Sequence, residues 1–411
     1  MAIIRPFKAI RPVKEVAPQV ASVPYDVVNR EESEALVKDN PLSFLRVTRS
    51  EIELDKNVDA YSTEVYQKAK ENFERLKKEA PLMQDETPHF YVYKLVMGEQ
   101  TQVGIAATFS VDDYDKDVIK KHEKTRKVKE DDRTNHIVTT EAQTGPVFLT
   151  YRGIEAVNSL VDKTMETTEP IYDFTAEDGI QHTVWIMPDD YRDVVVFEIE
   201  KIPHLYIADG HHRAASAGRA QKVKKEDQVG LTGEEEFNFF LAVLFPAEQL
   251  KILPYNRVVH KFPAGVKKNF IELIGKNFTV EKTESPNPPE TKSFCMYYGK
   301  EWYLLRPNEN VKPGESYGEG LDVSILQNYL LSPVFGIEDP RTDNNVDFIG
   351  GIRGTKELEK LVDSGKAEVA FSMYPVSIDD LINISDANEV MPPKSTWFEP
   401  KLRDGLLIHL I

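Results

Sequence analysis

Five consecutive residues, Asp209-Gly210-His211-His212-Arg213, bring together an acid, a glycine, two imidazoles and a guanidinium. A guanidinium grips phosphate oxygens as a bidentate fork, glycine lets a ligand approach the backbone, and a histidine can donate to phosphate or take a proton. Upstream, Leu205 and Ile207 alternate with Tyr206 and Ala208, the pattern of a short strand. Downstream, Ala214 to Ala217 suit the start of a helix, weakened by Gly218. Strand, Asp-Gly turn and helix start aim N–H groups and basic side chains at one point, which suits an anion and phosphate above all. A surface turn with two solvated histidines is the alternative.

Three other stretches carry reactive groups. Lys120 to Arg133 reads "KKHEKTRKVKEDDR", seven Lys or Arg against four acids, a basic island in an acidic chain. Its His-Glu pair is no zinc-protease signature, because Arg126 stands where the second histidine would be. On sequence grounds a solvated, charge-paired helix explains it best. The functional reading has Lys127 and Arg133 closing on an anion, with Glu123 as an acid/base or metal-side carboxylate. In "VPYDVVN" a proline-restrained turn presents Asp26, either as a reactive carboxylate or as a helix entry cap. In "MPPKSTWFEPK", Lys394, Ser395 and Thr396 offer an ammonium and two hydroxyls in one turn, fit for a carboxylate or phosphate. A surface turn anchored by Trp397 and Phe398 explains that stretch equally well. No P-loop, kinase H-R-D set, G-x-S-x-G or G-x-G-x-x-G fingerprint occurs.

The elements that must position these groups read as an α+β fold with mixed sheets, since strands and helices alternate without a regular βαβ rhythm. Asn29 caps a helix that Asn40-Pro41 ends, and residues 61–76 carry apolar positions at helical spacing. Hairpins are expected around Gly98 and around Asp178-Gly179. "GPVFLTY", "VVVFEI", "LYIADG" and "FNFFLAVLFP" read as strands. A length of 411 residues favours two domains. The Pro-rich "TESPNPPETKS" suggests a division into 1–283 and 284–411.

Composition narrows the class. A formal charge of −17 argues against non-specific binding to nucleic acid or an anionic membrane. The single Cys295 excludes an intrachain disulfide framework and multi-cysteine metal sites, and "SFCMYY" makes it a buried strand residue. No 18-residue apolar run and no apolar leader occur, so a cytoplasmic protein is expected.

Taken together, "VPYDV", "HEKT…DR", "YIADGHHR" and "MPPKSTWFEPKLRDGL" resemble a widespread bacterial and archaeal family built on a domain of unknown function. "DGHHR" and the P-K-S-T segment are also similar to archaeal free-serine kinases of the ParB/sulfiredoxin-like superfamily, which bind nucleotide on a strand–turn–helix element. The resemblance implies phosphoryl transfer from ATP or ADP, with Mg²⁺, to the hydroxyl of L-serine. It puts Asp209 at the transferring phosphate, Gly210, His211, His212 and Arg213 on nucleotide phosphates, and Lys394, Ser395 and Thr396 on the amino acid. The kinases' base follows an N-terminal strand and proline; Glu15 lies in roughly that place and Asp26 is the other candidate. The inserted "HEKT…DR" adds Glu123, Lys127 and Arg133. A nucleotide-binding regulatory protein without turnover is the alternative, although no basic recognition helix for DNA is present. A hydrolase built on His211 and His212 lacks a third metal ligand at a convincing spacing.

Overall fold

The computed structural model describes residues 2–226 and 228–411. They form two compact units. The first comprises the chain up to Lys121, then Thr125–Leu250 and Pro400–Ile411; the second comprises His122–Lys124 and Lys251–Glu399.

The first unit is built on a mixed sheet whose strands run in the order Ile119–Lys120, Leu205–Asp209, Val147–Tyr151, Phe239–Pro246, Gln100–Ser110, Tyr91–Met97, Gln181–Ile186 and Tyr172–Thr175. Phe239–Pro246 is buried at every position, as expected of a strand covered on both faces. It runs parallel to Val147–Tyr151 and antiparallel to Gln100–Ser110. Both expected hairpins form, and Gly98 and Gly179 take the left-handed conformation their turns require. Asn29 and Glu32 close a reciprocal capping box at the start of helix Arg30–Val37. Thr63–Glu79 forms the amphipathic helix, burying Val65, Tyr66, Ala69, Phe73 and Leu76.

One expected strand is a helix. "VVVFEI" lies within Arg192–Glu200, where Val195 and Ile199 are buried while Val194 and Phe197 face solvent. That i, i+4 burial is helical, and the β-branched run disguised it.

The second unit contains an antiparallel sheet in the order Phe278–Thr283, Glu301–Pro307, Phe294–Tyr298, Val369–Met373, Tyr255–Val259 and Val346–Gly350. Cys295 is buried in it, as expected. The Pro-rich stretch after residue 283 connects two strands that both pair with Glu301–Pro307, so it is a loop inside this unit. The compact units divide at 250/251 and 399/400 instead. The α+β expectation is met. Among the described residues no helix is long and apolar enough to cross a membrane.

Candidate functional site

Strand Leu205–Asp209 ends in a register shift between Ile207 and Asp209 against its neighbour Val147–Tyr151. Such an irregularity re-aims the side chain at the strand end. Gly210 follows with φ +89°, and a methyl group there would stand 3.4 Å from both Arg213 Nε and Val147 Cα. The helix His211–Glu226 starts at once, so its first-turn amides and Arg213 share one end. Small buried residues, Ala214, Ala217 and Ala220 among them, let this helix pack against Lys127–Thr140.

Arg213 is 8% exposed. Its Nη1 donates to the Pro146 carbonyl. Its Nη2 stands 3.7 Å from Asp26 Oδ1 and 3.8 Å from Asp209 Oδ2. Neither Nε nor Nη2 makes a hydrogen bond. Asp209 also receives Lys401 Nζ at 3.1 Å. Arg213 lines a small cavity of about 30 Å³ together with Tyr25, Arg133, Gln143, Thr144 and Asp404. That is space on the scale of ~two waters, or of the oxygens of one anion.

Arg133 lines the same cavity. Its Nε and Nη2 grip Asp132 at 3.0 and 3.1 Å, and its guanidinium lies 4.2 Å from the centre of the Tyr25 ring. Burial pushes the Tyr25 hydroxyl well above its ordinary range, so it stays a neutral phenol. His136, buried beside Arg133, is pushed down to about 3 and is neutral; its Nε2 donates to the Val47 carbonyl at 3.1 Å.

Asp404 is the unusual acid. It is 2% exposed and its Oδ1 has no hydrogen-bond partner. Burial raises its carboxyl from the ordinary 3.8 to about 7; Arg213 pulls it down and Asp26 pushes it up. Backbone bonds hold it: Asp404 N donates to Ser22 O at 2.9 Å and Ser22 N to Asp404 O at 3.1 Å. Its carboxylate lies where a side chain on residue 145 would be, which is why that position is Gly145.

The residues picked out from sequence divide sharply. Asp26, Asp209, Gly210 and Arg213 come together; of these Arg213 lines the cavity, which Arg133 shares. His211 is buried at the helix start. His212 Nε2 accepts the Arg126 amide at 3.1 Å, tying the basic segment to this helix. Lys127 is exposed and paired with Asp131 at 2.7 Å, as a solvated helix predicts, and Glu15 is exposed in a turn before Ala17–Val20. Neither lines the cavity. Glu123 belongs to the second unit and lines a groove there with Lys124, Gly318 and Glu389. In the same unit Ser395 Oγ donates to the Pro392 carbonyl at 2.7 Å, Thr396 Oγ1 lies 3.4 Å from His122 Nε2, and Lys394 Nζ stands 5.5 Å over the Tyr255 ring. Sequence reasoning missed Tyr25, Lys401 and Asp404. The signal was present, since "PYD" and "PKLRDGL" lie inside the stretches that carry the resemblance. Among the described residues no group of three or more His, Cys, Asp or Glu is arranged for a metal ion.

Among solved structures, the chain is similar to a free serine kinase in complex with AMP, at 12% identity, covering 75% of this chain and 92% of that one with a TM-score of 0.39. It is similar to SbnI with a C-terminal truncation from Staphylococcus aureus at 13% identity, 74% and 87% coverage and a TM-score of 0.40. A conserved hypothetical protein from Pyrococcus furiosus matches at 13% identity, 75% and 95% coverage and a TM-score of 0.36. No curated protein matches by sequence. The family model described as "Protein of unknown function (DUF1015)" matches residues 4–324, and the chain belongs to that family.

Proposed function

We propose that this protein is a small-molecule phosphotransferase, moving a phosphoryl group from ATP or ADP to the hydroxyl of a small amino acid, L-serine first among them. One observation carries the reading: the buried Arg213 guanidinium, two of whose nitrogens make no hydrogen bond, lines a small cavity together with a second buried guanidinium, that of Arg133. Asp26 and Asp209 balance the Arg213 charge, but its buried Nε and Nη2 donors still call for acceptor oxygens or water against them. A phosphate group supplies the charge and the acceptor oxygens together.

In this reading the strand–turn–helix at Asp209–Arg213 is the phosphate end of a ParB/sulfiredoxin-like core. The cavity takes the oxygens of a single phosphate, and the rest of the nucleotide lies outside it. Asp26 and Asp209, on either side of Arg213 Nη2, are the carboxylates available to the reaction. The acceptor oxygen forms the new P–O bond, the bond to the departing nucleotide breaks, and Asp209 takes the hydroxyl proton. Lys401 keeps Asp209 oriented. Mg²⁺, held mainly by phosphates, needs only one or two protein carboxylates, and Asp26 with Asp209 fits that demand; it would supply charge neutralisation.

The test is a product assay. The purified chain with ATP or ADP, Mg²⁺ and each amino acid in turn should yield O-phospho-L-serine and the shortened nucleotide in equal amounts. No phosphorylated amino acid with either donor, from a folded preparation, overturns the reading.

A further inference from the structure

Arg133 has a second face. Tyr25, Arg133 and His136 line the small cavity and also a larger one of about 230 Å³ in the same unit. This space lies below the ~300 Å³ at which drug-sized sites begin, so its ligand is small. Thr48 and Glu51 are buried in its floor, at the ends of helix Leu45–Thr48 and within the 3-10 turn Ser50–Glu53. Tyr61 and Lys129 are more exposed and stand at its rim.

The lining carries both signs. Arg49 Nε lies 3.0 Å from Glu51 Oε1. Asp132 is already engaged, taking two bonds from Arg133 and one from the Tyr66 hydroxyl at 3.2 Å. Lys129 donates to the Tyr61 hydroxyl at 2.9 Å and has no carboxylate within ion-pair reach among the described residues. Thr48 is 3% exposed, and its Oγ1 has no hydrogen-bond partner. A buried hydroxyl without a partner is rare enough to call for a ligand or water against it.

We propose that this second cavity binds a small amino acid as its zwitterion: carboxylate on Lys129 and Arg49, ammonium on Glu51, and Thr48 Oγ1 donating to the same molecule. It is then the acceptor subsite of the transfer, sharing Tyr25, Arg133 and His136 with the phosphate cavity. Its identity as acceptor subsite rests on the transferase reading; the amino-acid site itself does not. The size limit excludes a nucleotide, and the mixed charge disfavours a simple anion or a simple amine.

Calorimetric titration of the full chain without nucleotide tests it, with L-serine, 3-hydroxypropionate (no ammonium) and ethanolamine (no carboxylate) as probes. Sulfate is titrated in parallel to report on the Arg213 cavity. L-Serine should bind more tightly than either truncated probe. Lys129→Met should weaken serine about 10- to 100-fold, the effect of one charged hydrogen bond, and Thr48→Val by about three- to tenfold. Sulfate affinity should not change in either variant. Circular dichroism and a thermal melt confirm that each is folded. Unchanged serine affinity in both folded variants overturns the assignment, as does a wild-type chain that binds sulfate but not serine. Serine binding without phosphoryl transfer sinks the acceptor role and the transferase reading while the amino-acid site stands. A chain that binds neither probe overturns both proposals.

Discussion

Replacing Asp404 with asparagine tests the charge logic of the Arg213 cavity. In the unfolded chain this carboxyl ionises near 3.8, and in the folded chain burial holds it protonated up to about 7. A carboxyl raised on folding leaves the folded state at full strength below the lower value. Stability is then lost as pH rises, at about 1.4 kcal/mol per pH unit, until the upper value is passed. Over the interval from 3.8 to about 7 this amounts to ~4 kcal/mol, all of it present as a deficit at about pH 8. Asparagine carries no ionisation and escapes the deficit. Its amide N–H groups sit badly beside Arg213 and Arg133, however, so a net gain of about 1–3 kcal/mol at about pH 8 is expected. Urea unfolding of both proteins across the pH range measures it. The difference between them should widen in the variant's favour from about pH 4 to about pH 7 and stay constant above. A difference that does not change with pH refutes the reasoning. Binding gives a second readout, because sulfate does not titrate in this range. Wild-type affinity for sulfate should fall as pH rises through about 7, as Asp404 gains its charge, and Asp404→Asn should flatten that dependence.

Arg213→Met should weaken sulfate and nucleotide binding by about 1.5–3 kcal/mol, read by calorimetry; unchanged affinity in a folded variant removes the phosphate from this cavity. Asp209→Asn should lower turnover by roughly two to four orders of magnitude, measured as phosphoserine formed per unit time. Lys394→Ala separates two placements of the acceptor: the second cavity predicts a KM for serine within about twofold of wild type, whereas a rise of about tenfold returns the acceptor to the Lys394–Thr396 turn.

Much of the fold is legible because its signals are local. The Asn29 capping box, the periodic face of Thr63–Glu79 and the turn glycines each state their conformation within a few residues. "VVVFEI" failed for a physical reason: β-branching speaks for strand, and only the spacing of Val195 and Ile199 speaks for helix. The boundary near 283 failed because prolines mark a loop without saying whether it joins strands or units. At the site, Arg213 and Asp209 were visible because they share five residues. Asp404 was not, since its character comes from burial beside residues near 26, 133 and 213, and no window of sequence contains that environment. Lys394, Ser395 and Thr396 drew attention in the same C-terminal stretch because hydroxyls and a lysine look reactive, whereas two of them spend their hydroxyls on neighbouring loop groups.

The return of Pro400–Ile411 to the first unit sets an order of events during synthesis. His409–Leu410 pairs with Ala142–Gln143, Ile408 bridges Ile10, and Asp404 bridges Ser22, so this short segment stitches together strands made hundreds of codons earlier. A ribosome that has finished Leu250 has emitted nearly all of the first sheet, yet not Lys401 or Asp404. Until residues 251–399 have also been translated, Asp209 lacks its lysine and Arg213 faces a gap where the carboxyl belongs. A chain cut short anywhere in that interval is therefore born without Lys401 beside Asp209 and without Asp404 in the Arg213 cavity.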